Sequence, residues 1–279
     1  MSGRLEIAGF SHPGRVRVGN DDFFCLGSLV EQNGGAALSF ETESRFFSEF
    51  GLLCAVADGM GGYEGGALAS KTVLETLSAV FYARKHGGMS APQLAAQLEE
   101  DLASVQRVLD ATLHRENLPL AGTTLAGVVL LPPDVAVIFH CGDSRVLRCS
   151  GGYMRPLTLD HTPLAGEIAA GRLDESDAAT SPLASKVNRA LGLEGDTRVE
   201  INAELGWCSG DSFLLCSDGF HGLGRGLTHA HLRDRFAAFE ETIGCSSLAA
   251  RVQSAVEESV ALDGHDNATL VQIQISGTA

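Results

Sequence analysis

The sequence has no cluster of lysine or arginine residues, and its charge is strongly of one sign. Its 279 residues include 35 acidic and 20 basic side chains, which gives a formal net charge of −15. Nucleic-acid binders neutralise phosphates with clustered basic residues, so this composition argues against that class. An acidic protein that handles phosphate must screen its own carboxylates, and bound divalent cations do this directly.

Long apolar runs and paired cysteines are missing as well. No stretch approaches the roughly 18 apolar residues of a membrane-spanning helix, and the N-terminus lacks the apolar segment of a signal peptide. The seven cysteines show no CxxC spacing, which predicts free thiols in a reducing compartment, and the cytoplasm is the expected location. No cysteine or histidine lies in a nucleophile setting such as CxxxxxR, so we expect no covalent phosphoenzyme.

The remaining composition is that of an ordinary folded protein, expected to form a single domain over residues 1–279. Hydrophobic periodicity predicts α+β layers without strict βαβ alternation. The predicted strands are Leu5–Phe10, Phe23–Leu29, Leu52–Ala57, Thr124–Leu131, Val135–Cys141, Val146–Cys149, Ser212–Cys216 and Ala268–Ile275. The predicted helices are Ala67–His86, Ser90–Glu116, His229–Phe239 and Ser246–Leu262. A surface excursion is expected after Gly34, and an irregular segment with a short helix near Glu167–Ala170 over residues 160–185.

Two predicted strands end in the same acid and glycine pair. The segments are LLCAVADGMGG, which contains Asp58 and Gly59, and SFLLCSDGF, which contains Asp218 and Gly219. A carboxylate at the end of a buried strand is held rigidly, and a following glycine lets the chain turn so that a carboxylate and a carbonyl oxygen face one ion. A single Asp-Gly pair is most often a turn. The repetition favours a binding site.

Further acids lie in predicted loops. Asp143 separates two strands, Asp266 precedes the last strand, and Asp21 and Asp22 follow Arg17 at a strand entrance. Alone, each is typical of a loop or a salt-bridged turn. Mg²⁺ and Mn²⁺ take oxygen ligands and need only a few carboxylates each. Converging acids would suit two ions about 4 Å apart that acidify a shared water, with an arginine to hold phosphate.

Ordered blocks along the chain resemble the metal-dependent protein serine/threonine phosphatases of the protein phosphatase 2C type, especially their bacterial members. The blocks are GRVRVGNDD (14–22), VADGMGG (56–62), GTTLAGVVL (122–130), CGDSR (141–145), LTLDHTP (157–163), VNRALG (187–192), LLCSDGF (214–220) and DNATL (266–270). The resemblance implies two packed antiparallel β-sheets flanked by helices, with a dinuclear metal cleft at one edge. Residues 160–185 correspond to the family's variable flap beside that cleft.

The resemblance also implies roles for single residues. Asp58, Asp218 and Asp266 are the expected catalytic residues, and Arg17 matches the phosphate-binding arginine. Asp58 is expected to bridge two ions of Mn²⁺ or Mg²⁺, and Asp143 with Asp218 matches a third, weaker site. The implied metal ligands, direct or through water, are Asp21, Asp22, Asp58, the Gly59 carbonyl, Asp143, Asp218 and Asp266.

Two positions depart from the family pattern. Residue 21 is Asp where the family usually has Glu, and the shorter side chain is expected to reach its ion through water. Residue 60 is Met where other members carry a histidine thought to protonate the leaving alkoxide, so a water is expected to do this instead. His161 and Arg145 are interpreted as hydrogen-bonded structural residues.

The implied activity is hydrolysis of phosphoserine and phosphothreonine in proteins by direct attack of a metal-bridging water. Expected partners are phosphorylated proteins, including a Ser/Thr kinase or its targets, with neither nucleic acid nor membrane. Two alternatives stay open. The first is a hydrolase of small phosphoesters or nucleotides, which would need a deep specific pocket. The second is a pseudophosphatase that binds phosphoproteins without turnover, and loss of a metal-binding acid or of Arg17 would have favoured this alternative.

Overall fold

The computed structural model describes residues 3–62, 65–174, 181, 183, 186–221 and 247–277. Two antiparallel sheets pack face to face, and helices cover their outer faces. This arrangement confirms the predicted α+β class with its α-β-β-α layers. The predicted helix His229–Phe239 lies outside the described residues.

The first sheet joins both ends of the described chain. Its strands are β1 (Gly3–His12), β4 (Gly34–Glu41), β9 (Arg145–Ser150), β10 (Tyr153–Pro156), β12 (Ser212–Cys216) and β13 (Ala268–Gly277). Their order is β10-β9-β12-β13-β1-β4. The long pairing of β1 with β13 runs from Gly3 opposite Gly277 to His12 opposite Ala268, which brings the loop after β1 next to the loop before β13.

The second sheet contains the most apolar strands. Its members are β2 (Asp22–Leu26), β3 (Leu29–Glu31), β5 (Leu52–Met60), β7 (Leu125–Leu131), β8 (Val135–Cys141) and β11 (Glu200–Gly206), in the order β11-β8-β7-β5-β2-β3, while β6 (Gly122–Thr123) pairs separately with β5. β7 is buried along its whole length. Both faces of this sheet are covered, so its central strands read as continuous apolar runs.

Six helices lie among the described residues: α1 (Arg45–Phe50), α2 (Gly65–Tyr82), α3 (Ala91–Arg115), α4 (Pro163–Ala169), α5 (Asp218–His221) and α6 (Leu248–Leu262). The α3 helix begins after Ser90 with Pro92 in its first turn, as the sequence predicted. None of the helices in the described ranges has the length and hydropathy that a membrane crossing requires.

Three apolar clusters hold the layers together. Side chains such as Phe24 and Phe213 fill the space between the sheets. Leu77 of α2 and Leu98 of α3 pack on the second sheet, and Val256 of α6 packs on the first. Full burial of each such side chain contributes about 1.5–3 kcal/mol. Because both sheets are fixed on two sides, the loops at their shared edge are held in place.

The predicted surface excursion after Gly34 is wrong, because residues 34–41 form β4, which pairs in continuous register with β1. This strand lies at the edge of its sheet, and most of its side chains are exposed or half-buried. Because residues 34–41 are mostly small and exposed, they lack the alternating apolar pattern that predicts a strand. The short helix predicted near Glu167 begins earlier, at Pro163 after the N-cap Thr162.

Candidate metal centre

Two carboxylates lie side by side on neighbouring strands of the second sheet. Asp58 on β5 is paired directly with Asp22 on β2. Opposite residues of antiparallel strands place their side chains on one face, about 4.5–5.5 Å apart at Cβ, where like charges repel. Asp22 is fully buried, whereas Asp58 is partly exposed. Asp58 lies inside strand β5, two residues before the strand ends at Met60.

Three further acids converge on this pair from loops and a helix start. Asp143 lies in the turn between β8 and β9, Asp218 begins α5 directly after β12, and Asp266 lies just before β13. Burial raises the pKa of Asp58 well above its usual value, and the charges of Asp22, Asp218, Asp143 and Asp266 raise it further. These five acids thus lie within electrostatic reach of one another.

We define the acid cluster as Asp22, Asp58, Asp143, Asp218 and Asp266. Burial and neighbouring carboxylates also raise the pKa values of two other members, Asp143 and Asp22. Burial raises the pKa of Asp143 to about 8, with Asp218 adding to the effect. Burial also raises the pKa of Asp22 to about 7, against hydrogen bonds from Thr269 and Ser217. Without cations, the folded protein therefore keeps protons on acids that would ionise in water.

The two glycines after Asp58 and Asp218 are required by close packing. A Cβ on Gly59 would lie 2.2 Å from the Gly66 carbonyl oxygen, and a Cβ on Gly219 would lie 1.9 Å from the Asn267 carbonyl oxygen. Neither glycine has a positive φ. The expectation of a sharp turn is wrong for Gly59, which continues strand β5, whereas Gly219 lies where the chain passes from β12 into helix α5. They let neighbouring backbone approach the acids.

Asp22 is held by a chain of hydroxyl groups. Its Oδ2 accepts hydrogen bonds from Ser217 Oγ and Thr269 Oγ1, both at 2.7 Å. Thr269 Oγ1 lies 2.7 Å from Ser11 Oγ, which accepts a bond of 2.8 Å from Asn20 Nδ2. This network links β1, β2 and β13 beneath the acid cluster and fixes the orientation of the Asp22 carboxylate.

Asp21 lies apart from its neighbour Asp22. Its carboxylate accepts a hydrogen bond from the backbone N–H of Ala67 at the start of α2, and burial raises its pKa while Arg17 lowers it. Its own carbonyl accepts a hydrogen bond of 3.2 Å from Gly59 N. The structure thus brings Asp22 beside Asp58, and it places Asp21 at the N-terminus of a helix, where negative charge is favoured.

Arg17 forms a two-point ion pair with Asp266. Its Nε lies 2.8 Å from Oδ1 and its Nη2 lies 2.7 Å from Oδ2. The arginine side chain is 57 % exposed and the aspartate 18 %. A planar guanidinium that binds a carboxylate at two points can bind a phosphate in the same way, which fits the phosphate-binding role predicted for Arg17.

Asn267 was missed by the sequence reasoning, although it fixes the loop that carries Arg17. Its Nδ2 donates to the carbonyls of Pro13 at 2.8 Å and Gly19 at 2.9 Å, and its Oδ1 accepts from Asp21 N at 2.8 Å. Asn20, Ser217 and Thr269 were missed in the same way. Each is a small polar residue within three positions of a predicted acid in sequence, and that proximity is the signal that could have identified them.

The residues present fit hard divalent cations. The five members of the acid cluster offer only oxygen atoms, which Mg²⁺ and Mn²⁺ prefer. Asp22 Oδ1 is buried and has no hydrogen-bond partner among the described residues, so it remains available to a cation or to its bound water. Buried polar atoms are almost always paired, and a bound water or cation would account for this exception.

Comparison with known proteins identifies similar sequences. The family described as Protein phosphatase 2C matches residues 42–258. The chain is 30 % identical over 207 residues to the serine/threonine phosphatase stp of Listeria innocua, a match that covers 74 % of this chain and 74 % of that protein.

Solved structures share the fold. The catalytic domain of the serine/threonine protein phosphatase PstP, in complex with two manganese ions, matches with a TM-score of 0.73 and 23 % identity over 99 % of this chain and 100 % of that one. The Ser-Thr phosphatase MsPP from Mycobacterium smegmatis, in complex with cacodylate, matches with a TM-score of 0.71 and 26 % identity over 97 % of this chain and 98 % of that one.

Proposed function

Because this chain belongs to the protein phosphatase 2C family and is a serine/threonine protein phosphatase, we propose that its hydrolysis of phosphoserine and phosphothreonine depends on Mn²⁺ or Mg²⁺. The observation that carries the proposal is the convergence of four acids on Asp58, which raises the pKa of that carboxyl. Carboxylates crowded in this way need cationic partners. The manganese ions bound by PstP support the same reading for this chain.

The proposed ligands divide between two core ions and a third. Asp58 would serve both core ions, with the Gly59 carbonyl and, through water, Asp21 as further ligands of one and Asp218 and Asp266 as ligands of the other. Asp143 and Asp218 hold a third ion more weakly. Asp22 lies behind the ligands, where its bonds to Ser217 and Thr269 keep its free oxygen turned to a cation or a water.

The chemistry then follows from charge and position. Two cations held by these acids would acidify a water for direct attack on phosphorus, with no covalent enzyme intermediate. Arg17 binds the phosphate oxygens in two-point geometry, and to do so it exchanges the Asp266 carboxylate for phosphate. That exchange releases the Asp266 carboxylate from Arg17, so that it can serve as a ligand.

Protonation of the leaving alkoxide needs a group other than residue 60. Met60 ends β5 and cannot carry a proton, and we assign the step to a water in the cleft. The flap proposed for residues 160–185 would help to select substrates. Exchanging it for the corresponding segment of a relative is expected to change the preference among phosphopeptides, and an unchanged preference would remove this role.

The substrates are proposed to be phosphorylated proteins, including a Ser/Thr kinase or its targets. The first test measures phosphate release from a phosphothreonine peptide and from p-nitrophenyl phosphate, with EDTA, Mg²⁺ and Mn²⁺ compared side by side. Turnover that requires a divalent cation and favours the peptide is the expected result. Turnover in EDTA would overturn the metal requirement.

The alternatives predict different results in the same assay. A hydrolase of small phosphoesters would favour a nucleotide or sugar phosphate over the peptide by kcat/KM. A pseudophosphatase would bind the phosphopeptide and release no phosphate with any metal. Titration of Mn²⁺ by calorimetry separates that last case from a protein that binds no metal.

A further inference from the structure

The turn that carries Asp143 is held from two sides by histidines. His161 lies after β10, and its Nδ1 accepts a hydrogen bond of 3.0 Å from the backbone N–H of Gly142. His221 ends α5, and its Nε2 donates to the carbonyl oxygen of Asp143 at 3.1 Å. Both rings are buried, at 8 % and 1 % exposed. Two peptide groups of one turn, on either side of the Gly142–Asp143 peptide, are thus bound by two imidazoles.

The His161 ring is fixed in the form that this contact requires. An imidazole nitrogen that accepts from a backbone N–H carries no proton, so the proton of neutral His161 lies on Nε2. Glu200 Oε1 lies 3.1 Å from that atom. Burial lowers the pKa of His161, and neighbouring His140 and Arg189 lower it further. The ring therefore stays neutral, with Nδ1 as an acceptor.

A different role for this histidine is excluded by its surroundings. His140, His161 and Glu200 offer ligand atoms within 4.8 Å of one another, which is a spacing that suits a metal ion. However, Arg189 Nη1 lies 2.8 Å from Glu200 Oε1 and 2.9 Å from His161 Nε2, so a protein cation already occupies the space. These contacts fix the position of the ring.

The turn has further supports that make its position sensitive to the histidines. His161 N also donates to the Gly142 carbonyl at 2.9 Å. On the other side, Ser144 Oγ lies 2.7 Å from Thr124 Oγ1, which accepts from Asp58 N at 3.1 Å. The backbone of Asp143 is therefore connected to the strand of Asp58 and to the helix that begins at Asp218.

We propose that His161 and His221 are positioning residues for the third cation site, because they hold the 141–143 turn so that Asp143 lies beside Asp218. This inference rests on the proposed metal-binding role of Asp143. Neither histidine touches the cation. Removing either one leaves a buried peptide N–H or C=O of the turn without its partner, which lets the carboxylate move from the position that it needs.

The test is a count and affinity of Mn²⁺ sites in the full-length protein, by calorimetry and by electron paramagnetic resonance. The wild type is expected to bind two ions tightly and one weakly, and Asp143→Ala is expected to lose the weak site. His161→Leu and His221→Leu should weaken that site by about tenfold or more, as partners of metal ligands typically do, while the two tight sites change by less than about twofold.

Conservative variants separate positioning from general packing. His161→Asn keeps an acceptor in the place of Nδ1, and His221→Gln keeps a donor in the place of Nε2. Both are expected to restore weak-site affinity to within about threefold of the wild type. The matched control is His86→Leu, because buried His86 also contacts a backbone carbonyl through Nε2, at 2.9 Å from Phe81 O, away from the acid cluster. It should bind all three ions normally.

Several results would overturn the proposal. The positioning role would be removed if both leucine variants kept the wild-type affinity of the weak Mn²⁺ site. It would also be removed if their loss of affinity were no larger than that of His86→Leu, or if His161→Asn and His221→Gln failed to restore the affinity. If Asp143→Ala binds Mn²⁺ like the wild type, the third site is not at Asp143 and the inference falls, while metal-dependent phosphate release by the wild type keeps the proposed function intact.

Discussion

Buried aspartates occur in two settings in this protein, and the cations beside them differ. Asp160 accepts bonds of 2.7 and 2.6 Å from Arg145, and Asp211 accepts a bond of 2.5 Å from Arg148. Burial opposes ionisation of both, yet the arginine hydrogen bonds lower the pKa of each carboxyl. This pair confirms that Arg145 is hydrogen-bonded, as the sequence analysis predicted.

The acid cluster has the same residue type in similar burial but the opposite electrostatics. Burial and neighbouring carboxylates raise the pKa values of Asp22, Asp58 and Asp143. Among the described residues, Arg17 makes a two-point ion pair with Asp266 at the exposed rim of the cluster. Arg145 also lowers the pKa of Asp143, but burial and Asp218 outweigh this effect. Aspartates that support the fold thus have pKa values lowered by arginine, whereas Asp22, Asp58 and Asp143 have raised pKa values, which fits the metal-binding role that we propose for the cluster.

The largest expected effect of breaking this contrast is on activity. Asp58→Ala removes the acid at the centre of the cluster and is expected to lower kcat/KM for a phosphothreonine peptide by about 10³-fold or more, because electrostatic stabilisation at a reacting centre has that size. The free energy of unfolding in EDTA should not fall, since a repelling charge is lost. Near-normal turnover in saturating Mn²⁺ would contradict the assignment.

Asp211→Asn tests the other half of the contrast. Asp211 is fully buried against Arg148, and removing its charge leaves a buried guanidinium unpaired, which should cost about 3–5 kcal/mol of stability. Chemical denaturation measures this loss. The kcat of the folded fraction should stay within about twofold of the wild type. The pKa of Asp211 is lowered, so its contribution exists above its unfolded pKa and is lost as pH falls.

The pH dependence of the metal-free protein should show the opposite sign for the acid cluster. Asp143 ionises near 3.8 in the unfolded chain and near pH 8 in the fold, so the unfolded state releases its proton first as pH rises. Stability from this group is therefore lost between about pH 4 and pH 8. Asp143→Asn should remove that loss.

The measurement is thermal unfolding in EDTA at pH 5 and pH 8. We expect Asp143→Asn to raise Tm by about 5 °C at pH 8, taking about 1–3 kcal/mol for an uncompensated buried charge, and by clearly less at pH 5. The matched substitution Asp211→Asn should lower Tm at both values. A gain for Asp143→Asn that is equal at both pH values would show that titration is not its cause.

The sequence predicted most of the elements, because buried strands such as Val135–Cys141 and amphipathic helices such as α3 have strong periodicity. It failed for β4, whose stability comes from its continuous pairing with β1. Pairing of that kind depends on a partner distant in the chain, and a local pattern cannot show it.

For the site, sequence reasoning predicted the acids and left their arrangement open. That Asp22 lies opposite Asp58 follows from the register of two strands, and the hydroxyl chain from Thr269 depends on strands that meet only in the fold. His221 gave no signal, because its partner is a backbone carbonyl 78 positions away. Backbone contacts do not depend on the identity of the partner side chain, so no sequence pattern reports them.

The smallest expected effect concerns Arg17, the cation at the rim. Arg17→Ala should raise KM for a phosphopeptide by about tenfold and change kcat by less than about threefold, because an exposed arginine binds ground state and transition state alike. Arg15→Ala in the same loop is the matched control, and its KM should not change. Since Arg17 also occupies both Asp266 oxygens, its removal should leave Mn²⁺ affinity equal or higher. Weaker Mn²⁺ binding would mean that Arg17 orients Asp266 for the metal ion. An arginine would then support the acid cluster as well, and the contrast with Asp160 and Asp211 would not hold.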